Sequence, residues 1–305
     1  MIDITQALAK VPHFEGRDLT PFRINGGITN INWRVRDNTS GEMFFVKQHG
    51  PGTSAYIDRH TALSAAKIAA AKGVGPQVIY HDDDEGLEVH EFLQGFRSCS
   101  VLDAQDAEIR AKIMTAYKDI HDDLMLEKAN TGLEQFESFA RTVTRESTND
   151  SPLLPRDLEQ MLWQARRAGA AIKASGIDLV GCLNDAYISN YMRNEAGEIR
   201  LIDLEYAAAN DPYWDVAMFS FEIFFDDLHG ISSILEMYEG KVRPEALART
   251  YLYIGIAITR WGLWAVHQSL NSPIAFDFAK YSRTLLMRAR RQMLSPDWEW
   301  ALAHV

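Results

Sequence analysis

Two cysteines, Cys99 and Cys182, are all that the 305 residues contain. That is too few for a disulfide framework, so a reduced setting is expected. No uninterrupted apolar run approaches the ~20 residues that a membrane span needs. The opening "MIDITQALAKVPHF" lacks a basic start followed by an apolar stretch, so no secretory leader is expected there and the cytoplasm is the expected location. Positive charge is also scarce: 31 Lys and Arg against 42 Asp and Glu give a net charge of −11. A general nucleic-acid binder needs a basic surface, so no nucleic-acid partner is expected. An acidic field suits a cationic small molecule instead. No internal repeat or low-complexity tract is visible.

What is present divides into two patterns. The first 95 residues or so read as strand, strand, strand, helix, strand, strand. "INWRVRD" and "EMFFVKQ" are extended runs joined by the turn residues "NTSG". "AYIDRHTALSAAKIAAAKGVGP" is alanine-rich and stops at glycine and proline, which is a helix and its terminus. "PQVIYHD" and "GLEVHEFL" are two more strands around the acidic turn "DDDEG". Beyond residue 100, "DAQDAEIRAKIMTAYKDIHDDLM", "LEQFESFARTVTRES" and "PRDLEQMLWQARRAGAAIKASG" carry helical apolar spacing. "NYMRN" and "IRLIDLEY" form a short hairpin within this helical half, and long helices follow from residue 211. The expected class is α+β, with a sheet-rich lobe over 1–94 and a helical lobe over 95–305. A cleft between two such lobes is the default ligand site.

The chemistry-bearing residues fall in a fixed order. "NGGITN" lies between the first two strands, where backbone N–H groups can approach phosphates. Lys47 closes the third strand. Asp185 and Asn190 stand five apart in "LNDAYISN", and Asp203 and Glu205 follow in "LIDLEY". Phosphoryl transfer from ATP needs a lysine on the phosphates, two oxygen ligands for magnesium, and a carboxylate to orient the attacking hydroxyl. Each part alone is weak, since a strand-end lysine is usually a solvated charge and "GG" usually a turn. The order of the parts is that of the protein-kinase set.

The chain resembles the aminoglycoside phosphotransferase and choline kinase superfamily, and within it the choline/ethanolamine kinases. "GGITNINWRV" looks like that family's nucleotide-loop hairpin, "CLNDAYISNYM" like its catalytic loop, and "LIDLEYAAANDPYWDVA" like its metal-binding segment. "RWGLWAVHQ" and "FDFAKYSR" resemble its substrate helices. The resemblance implies a two-lobed protein-kinase-like fold and an ATP- and Mg2+-dependent kinase acting on choline or a related amino alcohol. It implies Asp185 as the catalytic aspartate and Asn190 and Asp203 as metal ligands. Gly26, Gly27, Asn30 and Lys47 would hold the phosphates, with Glu91 and Leu93 at the adenine. Tyr206, Glu222, Trp261, Trp264, Phe278 and Tyr281 would form the substrate cage. Physically, aromatic faces and a carboxylate suit a quaternary ammonium, although Trp and Phe at helical spacing are more often core.

Two positions depart from the family pattern. Leu183 stands where a histidine that braces the loop is expected, so packing is kept and a polar brace lost. Ala62 stands where a helix glutamate that pairs with the lysine is expected, with Asp58 one turn earlier as a partial substitute. Neither change removes a group that touches the transferred phosphoryl. Ethanolamine, thiamine and aminoglycosides are alternative acceptors, and a pseudokinase that binds nucleotide or a quaternary amine is the non-enzymatic alternative.

Overall fold

The structure, a computed structural model, describes residues 3–24, 30–50, 53, 57–84, 86–123, 126, 129–147, 151–272 and 274–305. The chain divides into two compact units, the first comprising residues 1–99 and 189–207, the second 100–188 and 208–305.

The first unit is built on a five-stranded antiparallel sheet of β1 (Leu19–Ile24), β2 (Ile31–Asp37), β3 (Met43–Gln48), β4 (Val78–Asp82) and β5 (Leu87–Glu91), in the order β1-β2-β3-β5-β4. Side chains alternate across a strand, and β3 shows the consequence. Phe44 and Val46 face a core shared with Val35, Leu87 and Val89, covered by Ile4, Ala7, Leu8, Val11 and Phe14 from the N-terminal segment. That segment is α1 (Ile4–Leu8) and a single 3₁₀ turn, Pro12–Phe14, neither anticipated from the sequence. Lys47 takes the alternate register and pairs across the ladder with Glu88.

Helix α2 (Arg59–Ala71) begins at Asp58, whose carboxylate accepts the Thr61 N–H at 3.0 Å. It ends at Gly73, which adopts φ +71° and lets the Val74 N–H return to the Ala69 carbonyl at 3.0 Å. The short strand β6 (Arg97–Ser98) and the hairpin β8–β9 (Tyr191–Arg193 and Ile199–Leu201) complete this unit. The Leu201 N–H bonds the Val74 carbonyl at 2.6 Å, anchoring the hairpin just past α2.

The second unit is helical: α3 (Ala107–Asp123), α4 (Gly132–Glu146), α5 (Leu158–Ala174), α6 (Pro212–Phe224), α7 (Leu228–Glu239), α8 (Pro244–Asn271), α9 (Phe278–Met293) and α10 (Pro296–His304). One two-stranded ladder, β7 (Val180–Cys182) with β10 (Ala208–Asn210), interrupts the helices. The 28-residue α8 is the axis, packed by α4, α5, α6, α7, α9 and α10. Every residue of α8 from Thr250 to Val266 is buried, as expected of a helix that is apolar all round. The single charge in that stretch is Arg260. Gly132 is required where α4 meets α6, since a Cβ there would lie 2.1 Å from the Trp214 ring. Among the described residues, no helix is long and apolar enough to cross a membrane.

Candidate active site

In the first unit, buried charges gather around Lys47. Its Nζ lies 2.5 Å from Asp203 Oδ1 and 3.6 Å from Glu205 Oε2. Burial alone would lower the ammonium pKa. The carboxylates of Asp203, Glu205 and Glu88 outweigh it and leave Lys47 raised and charged. Burial likewise opposes ionisation of Glu88. Lys47 and hydrogen bonds from His49 and His90, at 2.6 and 3.1 Å, hold it well below the usual carboxylate range.

Arg59, also buried, reaches Glu205 at 3.4 Å and Glu88 at 3.9 Å and donates to Thr53 Oγ1 at 2.7 Å. Asn30 donates to Glu205 at 2.7 Å and accepts the Gly50 N–H at 3.1 Å.

This corrects the expectation for Asp58. It caps α2, and the ion pairs of Lys47 come from the 203–205 segment. Ala62 is buried, and the counter-charge that a helix glutamate would give is supplied by Glu205, with Glu88 across the ladder. Arg59 and Glu88 were not identified from the sequence. A strand glutamate and a helix arginine become informative only when the fold brings them to one lysine.

Asp203 holds φ at +61°, costly backbone for a non-glycine residue and a recurrent mark of functional segments. Its side chain is 31% exposed. Asn190 is buried, and its carbonyl accepts the Ile202 N–H at 2.9 Å. Glu91 ends β5 and exchanges hydrogen bonds with Gln77, and the Leu93 carbonyl accepts the Phe96 N–H at 3.2 Å. Tyr206 is buried in this same unit. Gly26 and Gly27 lie outside the described residues.

In the second unit, β7 leads into Leu183, Asn184 and Asp185. Leu183 is buried and apolar, as the packing argument expects. The loop nonetheless has a polar brace. Asp215, fully buried on α6, accepts the Leu183 and Asn184 N–H groups at 2.7 and 2.8 Å. Asn184 stands at φ +61° and accepts a hydrogen bond from Asn210 at 2.7 Å. His121 from α3 meets Asp215 at 3.2 Å and Tyr238 at 2.8 Å. A histidine is thus present at the brace, delivered by another helix.

His121, Cys182 and Asp215 lie close enough together to suggest a metal site. Each of the three already has other partners: the Cys182 thiol, pushed up by burial, donates to the carbonyls of Asn210 and Asp211, Asp215 accepts two loop amides, and His121 meets Tyr238.

Beside this loop, Glu222 is pushed up to about 7 by burial, against the opposing pull of the Ile188 N–H and Arg288. Burial and then the charges of Glu222 and Asp185 raise Tyr187, and burial, Glu222, Tyr187 and Asp185 raise Tyr281. Glu222 and Asp185 thus both act on the two phenols.

Trp261, Trp264 and Phe278 are buried, with 5.5 Å between the two indoles and 5.7 Å between Trp264 and Phe278, each pair edge to face at 79°. Three apart on α8, the two indoles meet edge to face, the arrangement that the ring quadrupole favours. The guanidinium of Arg260 sits 3.6 Å from the Trp261 ring centre. Neither Arg260 nor Tyr187 was identified from the sequence. Arg260 carried a signal, because a lone charge in the apolar run "YIGIAITRWGLWAV" must find a compensating contact.

An antiparallel five-stranded sheet carrying a buried lysine, a braced Asn-Asp loop and a following aspartate in strained backbone define a protein-kinase-like phosphotransferase. A profile described as choline/ethanolamine kinase matches residues 22–252. The chain belongs to the choline/ethanolamine kinase family, and its activity is phosphoryl transfer to an alcohol. It is 25% identical over 317 aligned positions to ethanolamine kinase 1 of Mus musculus, covering 89% of this chain and 83% of that one. Among solved structures, a choline/ethanolamine kinase family protein from Mesorhizobium loti superposes with a TM-score of 0.82 at 23% identity, covering 98% and 96% of the two chains. The choline kinase LicA from Streptococcus pneumoniae gives 0.78 at 21%, covering 95% and 98%.

Proposed function

We propose that this protein transfers the γ-phosphoryl group of ATP to the hydroxyl of choline or a related amino alcohol. The substrate oxygen forms a bond to the γ-phosphorus, the bond from that phosphorus to the β,γ-bridging oxygen breaks, and ADP leaves. Asp185 orients the hydroxyl and takes its proton. Lys47 holds phosphate oxygens, aided by the backbone of Gly26, Gly27 and Asn30, and the Glu91–Leu93 backbone holds the adenine.

The observation that carries the reading is the ion pair of buried Lys47 with the part-exposed Asp203, which sets a fixed cation beside a carboxylate of the kind a nucleotide-bound cation requires. Hard oxygen donors fit magnesium, and Asp203 and Asn190 are the residues that would hold it. When bound, the ion neutralises charge on the phosphates. Glu222, Tyr281, Trp261, Trp264, Phe278 and Tyr206 are assigned to the acceptor. A reduced, cytoplasmic setting fits two buried cysteines that form no disulfide.

The test is ATP turnover against a panel of small hydroxylated amines, with and without a magnesium chelator, for the natural chain and Asp185→Asn. Chelator-sensitive turnover with an amino alcohol is expected, reduced by at least about a thousandfold in Asp185→Asn with nucleotide binding retained. Unchanged turnover in Asp185→Asn would remove the assigned loop.

A further inference from the structure

We propose that Arg260 sets this enzyme against quaternary ammonium alcohols and in favour of amino alcohols that carry a primary ammonium. The inference rests on the amino-alcohol kinase reading above and names the acceptor class.

A trimethylammonium head has no N–H group. It is recognised by aromatic faces within about 6 Å of the ring centre. In this chain such a face already carries a cation. The Arg260 guanidinium lies 3.6 Å from the centre of the Trp261 ring and 5.2 Å from that of Phe139, and the residue is 2% exposed. A substrate cation on that face would meet a like charge in a poorly solvated setting, where repulsion is weakly screened. Trp264 does not substitute for it, being 2% exposed and packed edge to face between Trp261 and Phe278.

Next to these rings stands a cluster of oxygen-bearing groups. The Glu222 and Asp185 carboxylates both lie near enough to act on the Tyr187 and Tyr281 hydroxyls, and Arg260 is near enough to act on Tyr281. A primary ammonium brings three donors to such acceptors. Each methyl group removes one donor and leaves a part-buried acceptor unmatched, which is how a hydrogen-bonding site rejects an analogue that lacks the group.

The experiment measures kcat/KM for ethanolamine and its N-methyl, N,N-dimethyl and N,N,N-trimethyl (choline) forms. The natural chain should lose activity with each methyl, by about 100-fold or more across the series. Arg260→Met should narrow that ratio at least tenfold, chiefly by lowering the KM for choline with the KM for ATP unchanged. Arg260→Lys, which keeps the charge, should retain the preference.

Equal use of choline and ethanolamine by the natural chain overturns the inference and leaves the proposed function standing. An unchanged ratio in folded Arg260→Met overturns it too. If Arg260→Met does not fold, the methyl series on the natural chain decides by itself. Phosphorylation of none of the four alcohols overturns both readings.

Discussion

Glu222 lies two residues before the end of α6 with its carboxyl pushed up to about 7 by burial. An ordinary glutamate titrates near 4.5, so the folded state holds this proton more tightly than the unfolded chain does. The stabilisation is complete below about pH 4.5, is lost as pH rises, and is gone above about 7. Glu222→Gln removes this loss. Relative to the natural protein it should gain thermal stability progressively from pH 5 to 8, by at most about 3 kcal/mol. Melting curves across that range check the sign, and a gap that stays constant with pH would sink the assignment.

Activity should run the opposite way. Pairing with an ammonium needs the carboxylate, so kcat/KM for ethanolamine should fall as pH drops below about 7. The kcat profile should bend at lower pH, because bound cation favours ionisation. The residue type was legible from the sequence, since a carboxylate within "FSFEIFF" requires a partner; its titration depends on neighbours from α9 and the catalytic loop.

At the scale of elements, the catalytic loop is held from outside itself. Leu183 and Asn184 give their N–H groups to a carboxylate on α6, and His121 on α3 adjoins the same carboxylate. Asp215→Ala strands two buried amides and should cost about 3 kcal/mol or more, with kcat falling at least about a hundredfold. Leu183→His adds an imidazole where a brace already exists and should alter kcat by less than about tenfold, or ~1.4 kcal/mol. Kinetics and denaturant midpoints of the two variants separate the cases. Robust gain from Leu183→His would show the natural loop to be under-braced.

The brace illustrates what local pattern leaves out. Strand alternation, the α2 stop at Gly73 and the helical spacing of α3, α4 and α5 are written in neighbouring residues, so those elements are found from the sequence. The α1 turn is five residues long, and β7 and β10 are three each, too short for periodicity to register. Arg59, Glu88, His121 and Asp215 acquire their roles through partners tens of residues away, and no local signal marks them.

For the whole molecule, nucleotide binding is linked to stability. At about 100 times its Kd, ATP with magnesium should stabilise the protein by about 2.7 kcal/mol. Asp185→Asn should keep that shift, whereas Lys47→Ala and Asp203→Ala should lose most of it. Thermal melts with and without nucleotide give the answer, and a full shift in Asp203→Ala would remove that residue from the nucleotide's support.

The partition of the chain also has a practical corollary. Cys99 falls in the first unit and Cys182 in the second; neither is in a disulfide, and both are buried. A thiol shielded in this way reacts with an alkylating reagent only when the backbone around it opens. The natural protein therefore carries two internal clocks, one per unit. Mapping which cysteine is labelled first, with and without nucleotide, would show whether the two halves breathe together or in turn.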